Sequence, residues 1–193
     1  MRDLFTRRRL LTAAAALAIP EAAFAQGDLP ATPACHDDDA PTLRETEGPY
    51  FKPRSPQRAD LREPGIAGRP LDLSGFVLSR ACRPVAGALI DVWQANDQGL
   101  YDNDGFRLRG HLLADAGGRF TLRTIVPGAY DGRTRHIHVK VQAPGRPLLT
   151  TQLYFPDEPL NRRDALYRRE LTIRVQHADE RMLGRFDFVL DLG

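Results

Sequence analysis

Seven short runs in which apolar and polar residues alternate recur along the 193-residue chain: LDLSGFVLS (71–79), ALIDVWQA (88–95), GRFTLRTI (118–125), HIHVKVQA (136–143), LLTTQLYF (148–155), LTIRVQ (171–176) and RFDFVLDL (185–192). A two-residue period sends successive side chains to opposite faces of a strand, so each run can bury one face and solvate the other. Runs this short and evenly spaced, set between Pro- and Gly-bearing turns, predict an all-β fold, an antiparallel or mixed β-sandwich. The only helix expected is a short one within DEPLNRRDALYRRE (157–170). The length suits a single domain with a real core. No glycine-rich phosphate loop follows a strand, no G-x-S-x-G occurs and no repeat recurs at a fixed period. Nucleotide cofactors and serine-hydrolase chemistry are therefore poor fits.

The first 25 residues read as an export signal. Arg7, Arg8 and Arg9 precede an apolar run from Leu10 to Ile19, and Ala23 and Ala25 are placed for an A-x-A cleavage. The run is short for a bilayer span, which favours a cleaved signal over an anchor and gives no stable membrane insertion. Its TRRRLL start is similar to a twin-arginine signal, so a periplasmic or secreted location is expected. Four of the 27 basic and two of the 25 acidic side chains fall in this segment, leaving 23 of each. With no net positive charge and no basic stripe interleaved with aromatics, nucleic-acid binding has no support. Residues 26–45 are polar, proline-bearing and aperiodic, and read as an extended arm ahead of a catalytic domain at 46–193. Cys35 and Cys82, the only cysteines, are expected to pair as a disulfide in an oxidising compartment.

The stretch TIVPGAYDGRTRHIHVKV (124–141) concentrates polar side chains in what reads as a β-hairpin, with a tight turn at PGAY. His136 and His138 lie two apart on one strand and project to the same face, a ready two-nitrogen chelate. An isolated H-x-H is weak, because many such pairs sit on a solvated face. Tyr130 lies near the start of that strand, and Tyr101 lies in the GLYDN loop after ALIDVW. Two phenols and two imidazoles would suit the hard ferric ion better than zinc or copper(I). A ferric ion would also draw the phenols into their anionic form. Spacing leaves open whether the four converge.

Several ordered segments carry a resemblance. TEGPYF (46–51), IDVWQANDQGLYDN (90–103), FRLRGHLLADAGGRFTLRTIVPGAYDGRTRHIH (106–138) and TTQLYF (150–155) closely resemble the intradiol ring-cleavage dioxygenases, the protocatechuate and catechol dioxygenase family. The resemblance implies a β-sandwich holding one Fe(III) per chain on Tyr101, Tyr130, His136 and His138. It implies that Tyr130 is the tyrosinate displaced by substrate, and that Arg133 stabilises charge on the bound catecholate. Gln152 matches a glutamine near the iron, and Pro49 and Tyr50 match a segment lining the substrate cavity. The implied activity is cleavage of a catechol between its hydroxyl-bearing carbons with O2, giving a cis,cis-muconate-type product.

Two departures stand out. The arm at 26–45 is too short and proline-rich to be the helical dimerisation segment of the catechol branch, so a homo-oligomer is compatible with the chain but that assembly does not carry over. Gly132 stands where the protocatechuate branch has a bulky aromatic, which changes the cavity wall. Trp93 alternates in phase with Asp91 and Ala95 and reads as core, while His111 and His177 lack ligand-spaced partners. The rival reading is a non-catalytic binding module, since RPVAGALIDV, DAGGRFTL and VPGAY also resemble transthyretin-like and carboxypeptidase-regulatory sandwiches. Nothing in that reading requires Tyr101, Arg133 and the H-x-H together. A cupin metalloenzyme would want a glutamate beyond the second histidine, where VKVQ offers none.

Overall fold

A computed structural model of the protein describes residues 40–192. The strands are β1 (Pro70–Ser79), β2 (Leu89–Trp93), β3 (Arg109–Leu113), β4 (Arg119–Ile125), β5 (His136–Gln142), β6 (Leu149–Tyr154), β7 (Arg174–Ala178), β8 (Arg181–Arg185) and β9 (Phe188–Leu190). They form two sheets. One runs β4-β1-β8-β7, with β9 also on β1, and the other runs β3-β2-β5-β6. β1 pairs antiparallel with β4 but parallel with β8 and β9, so the sandwich is mixed.

The alternating runs explain this arrangement. Leu71, Leu73 and Val77 of β1 and Phe120 and Leu122 of β4 face Ile90 and Val92 of β2 and Ile137, Val139 and Val141 of β5, all buried in one apolar core. Fully burying a side chain of this size is worth about 1.5–3 kcal/mol. The opposite face of the second sheet carries the period-two partners Trp93, His136, His138 and Gln152, and these are buried as well. Something must cover them. The cover is the segment 46–58, which crosses this face and bridges β3 at Gln57 and His111.

Three expectations change. The stretch 124–141 is no hairpin, because β4 and β5 belong to different sheets. Its tight turn is not PGAY but Tyr130–Arg133, where the Arg133 amide donates to the Tyr130 carbonyl at 2.7 Å and Asp131 and Gly132 both have positive φ. Aspartate and glycine are suited to that left-handed backbone. In place of a short helix in 157–170 there are two 3₁₀ turns, Pro159–Arg162 and Arg169–Leu171. Asp164, between them, accepts hydrogen bonds from Arg133 and Thr134 outside the segment and from the Leu166 amide within it. Finally, the run 185–192 is broken: the Asp187 carboxylate accepts the Phe76 amide at 3.0 Å in place of a ladder bond, separating β8 from β9.

Residues 40–45 of the arm are extended and stitch the sheets together, with Thr42 bonded to Val189 and Glu45 to Thr150. The signal-like segment and most of the arm, Cys35 included, lie outside the described residues. Cys82 is disulfide-bonded. Among the described residues no helix is long and apolar enough to cross a membrane.

Candidate metal centre

Strand β5 fixes the two imidazoles. His136 and His138 are both buried, with their Nε2 atoms 3.2 Å apart. His136 Nδ1 lies 2.7 Å from the Thr134 carbonyl, which can only accept, so Nδ1 carries the proton and Nε2 turns its lone pair into the site. Trp93, paired with His138 across β2 and β5, stacks on that imidazole at 4.9 Å and 6°. It is buried, as expected, but on the site face rather than in the inter-sheet core, and it backs a site residue. Burial makes both imidazoles hard to protonate. His136 is pushed down to about 4, partly opposed by its bond to Thr134, and His138 falls well below its ordinary value, helped by His136 beside it.

The phenols arrive on two loops that touch backbone to backbone. Asn96 organises the first: its Oδ1 accepts the amides of Gln98 and Leu100, and its carbonyl accepts the Gly128 amide of the second at 2.7 Å. A Cβ on Gly128 would sit 2.5 Å from the Asp97 carbonyl oxygen, and one on Gly99 would sit 2.4 Å from the Ala129 oxygen. Only glycine permits that approach. It brings the rings of Tyr101 and Tyr130 to 5.4 Å, edge to face. Tyr130 Oη reaches His136 Nε2 at 3.3 Å, and the Tyr101 ring lies 6.2 Å from His138.

All four sequence-predicted donors therefore meet. Tyr101 Oη is buried without a hydrogen-bond partner among the described residues, a costly arrangement for a hydroxyl. Burial, with the Tyr130 phenol beside it, pushes the Tyr101 pKa far up, and burial also raises Tyr130. A cation at this point would reverse both shifts and supply the missing partner. No cluster of three or more His, Cys, Asp or Glu exists among the described residues. The donor set is instead two oxygens and two nitrogens, and that set fits a ferric ion.

Arg133 is held beside the imidazoles. Its Nε donates to both oxygens of Asp164 (3.1 and 2.9 Å) and its Nη2 to Gln152 Oε1 (2.6 Å), which leaves Nη1 without a partner among the described residues. Asp164 also accepts the amides of Thr134 and Leu166, both at 2.9 Å. Burial works against both charges, but the pairing outweighs it: Arg133 lies above its usual range and Asp164 below the usual carboxylate range. Gln152, opposite His138 on β6, donates through Nε2 to the Thr46 carbonyl and so anchors the TEGPYF segment. Tyr50 stacks on Tyr101 at 4.3 Å and 17°, whereas Pro49 is exposed. His111 bonds Ser55 away from the donor set, and His177 is exposed and bonds Arg69. Sequence reasoning missed Asp164, which lies 31 residues from Arg133 in a segment with no spacing signal. It also missed Tyr154, whose hydroxyl packs beside Gln152 and donates to the Leu166 carbonyl.

A family model described as dioxygenase matches residues 46–192. The chain belongs to the intradiol ring-cleavage dioxygenase family. Hydroxyquinol 1,2-dioxygenase of a Rhizobium strain is 34% identical over 147 residues, covering 62% of this chain and 50% of that protein. Catechol 1,2-dioxygenase of Candida albicans is 29% identical over 177 residues, covering 75% and 58%. The chain thus spans about half the length of these relatives. Among solved structures, the dioxygenase domain of a dioxygenase–carbohydrate-binding fusion from the cellulolytic bacterium Streptomyces sp. SirexAA-E is 57% identical. It superposes with a TM-score of 0.78 over 80% of this chain and 100% of that domain. The 3-chlorocatechol 1,2-dioxygenase of Rhodococcus opacus is 27% identical with a TM-score of 0.74, covering 79% and 74%.

Proposed function

We propose that this intradiol dioxygenase holds one Fe(III) on Tyr101, Tyr130, His136 and His138 and cleaves a catechol-type ring with O2 between its two hydroxyl-bearing carbons. The product would be of the cis,cis-muconate type. The observation that carries the reading is the convergence of two phenols and two imidazoles around the unpartnered Tyr101 Oη, with Arg133 locked beside them. When bound, the ferric ion supplies Lewis-acid activation of the diol toward dioxygen.

The chain's own groups do the rest. Tyr130 is less deeply buried than Tyr101; held as tyrosinate by the bound ion, its Oη would be the base that takes one substrate hydroxyl proton and becomes the neutral phenol. His136 keeps its proton on Nδ1 throughout, because the Thr134 carbonyl holds it there. Arg133 has committed Nε to Asp164 and one N–H of Nη2 to Gln152, so the N–H groups of Nη1 and the second of Nη2 are left to reach the diol oxygen, and the fixed guanidinium stabilises negative charge that builds on the ring. The covering segment with Tyr50 keeps bulk water from that charge. Export to the periplasm or beyond by the twin-arginine route belongs to the same reading and rests on residues 1–25 alone.

The test is direct. Protein loaded with iron anaerobically and reoxidised should turn red-brown with one iron per chain, and catechol or hydroxyquinol should be consumed one-to-one with O2. Arg133→Gln should keep iron and colour while turnover falls ~10²–10³-fold, the scale of losing one preorganised charge-stabilising donor. A protein that stays colourless after loading sinks the metal assignment. Full turnover in Arg133→Gln removes that residue from the mechanism.

A further inference from the structure

The loop that carries Tyr101 is held by two cations that have no carboxylate partner among the described residues. From Asp102 to Arg107 the backbone amides turn inward: Asp102 Oδ1 accepts those of Asp104 (3.1 Å) and Gly105 (2.8 Å), and Oδ2 accepts that of Arg107 (2.8 Å). The carbonyls of the same residues are thereby turned outward. Lys52 Nζ meets three of them, Asn103 at 3.1 Å, Asp104 at 2.9 Å and Gly105 at 2.7 Å, and lies 4.8 Å from the centroid of the Phe106 ring. An ammonium has three N–H groups, and all three are used. Arg109, 1% exposed, donates from Nε to the Asp102 carbonyl at 3.0 Å and from Nη1 to the Tyr50 carbonyl at 2.5 Å. Neither cation makes an ion pair among the described residues.

Both contacts join the same two pieces of chain. Lys52 and Tyr50 sit on the covering segment, and the acceptors flank Tyr101. The Tyr50 ring also stacks on the Tyr101 ring. A surface lysine that only solubilised the chain would keep its ammonium in water. Here the charge is spent on backbone dipoles directly beside a candidate metal donor.

We propose that Lys52 is a positioning residue: its ammonium acts as a tethered monovalent cation in a carbonyl cage and, with Arg109, clamps the 101–109 loop so that Tyr101 Oη is held in place before a metal arrives. The cage would accept a primary alkylammonium ion when the lysine is removed. This rests on the reading of Tyr101 as an iron donor, and the test separates the two.

In metal-free protein, hydrogen exchange at Asp104, Gly105 and Arg107 should quicken about tenfold or more in Lys52→Met, the scale of losing hydrogen bonds to a charged group. Amides of β1 and β4 should be unchanged. Methylammonium chloride should restore protection, whereas tetramethylammonium chloride, which has no N–H, should not. In iron-loaded protein Lys52→Met should retain iron but show a weakened or displaced tyrosinate charge-transfer band that methylammonium recovers. Should Lys52→Met fail to fold, Lys52→Gln, which keeps a neutral donor, should show the same loop-confined change. Wild-type exchange at the three amides, or equal loosening throughout the sheets, overturns the clamp. A wild-type protein with no charge-transfer band overturns instead the ligand assignment of Tyr101, and the metal-free exchange still judges the cage.

Discussion

Replacing Asp164 by asparagine removes one negative charge and keeps the shape. The wild-type carboxylate side chain is 1% exposed and serves Arg133, Thr134 and Leu166, while the Arg133 side chain is 18% exposed. Breaking a buried ion pair by removing one partner costs about 3–5 kcal/mol. Water can reach part of this guanidinium, and asparagine retains one oxygen acceptor, so about 2–3 kcal/mol is expected. For a domain of this size that lowers Tm by about 4–10 °C. A denaturant double-mutant cycle with Arg133→Met isolates the pair: the double variant should recover at least about 1 kcal/mol relative to the sum of the singles. The pH dependence has a definite sign. The folded Asp164 carboxyl lies below its unfolded value of about 4, so its stabilisation is complete above that pH and is lost as pH falls through the folded value. The gap between wild type and Asp164→Asn should therefore be full at pH 7 and shrink in acid. Additive single effects, or a gap independent of pH, would refute the argument that charge pairing holds Arg133.

His138→Ala should abolish iron retention while His177→Ala leaves it intact, measured as metal per chain after desalting; equal contents would move the site elsewhere. Gly128→Ala places a Cβ 2.5 Å from the Asp97 carbonyl oxygen and the Gly99 nitrogen. It should cost about 1–3 kcal/mol and weaken the tyrosinate band by driving the two loops apart, whereas Gly145→Ala, whose Cβ meets nothing within 4 Å, should leave the band unchanged. Metal-free protein should lose stability as pH falls from about 6.5 to about 4, because burial holds His136 near the lower value and the unfolded chain binds protons first. His136→Gln should flatten that slope in denaturant titrations.

Much of the fold is legible because strand periodicity is local. β1, β4, β5 and β6 lie within a residue or two of their alternating runs. β3 escaped because both Arg109 and Gly110 are buried, which erases the alternation. β8 was not expected, since the run 185–192 holds only its last residue, and β9 is shorter than that run because the Asp187 side chain takes a bond from β1 where a ladder bond would stand. The donors were legible because H-x-H geometry follows from the pleat, and because Tyr101 and Tyr130 stand in segments that resemble a known family.

What the sequence by itself determined was which side chains share a face: His136 with His138, and the apolar set with the core. Tertiary structure alone decided which faces and loops meet. The contact of the Gly99 and Gly128 backbones, the anchoring of Arg133 by Asp164 from 31 residues away, and the carbonyl cage around Lys52 join parts of the chain that no local period relates. Each depends on backbone groups and charges losing water only once the sheets have packed. Their strength comes from that desolvation, which the assembled sandwich creates and a linear pattern of residues does not contain.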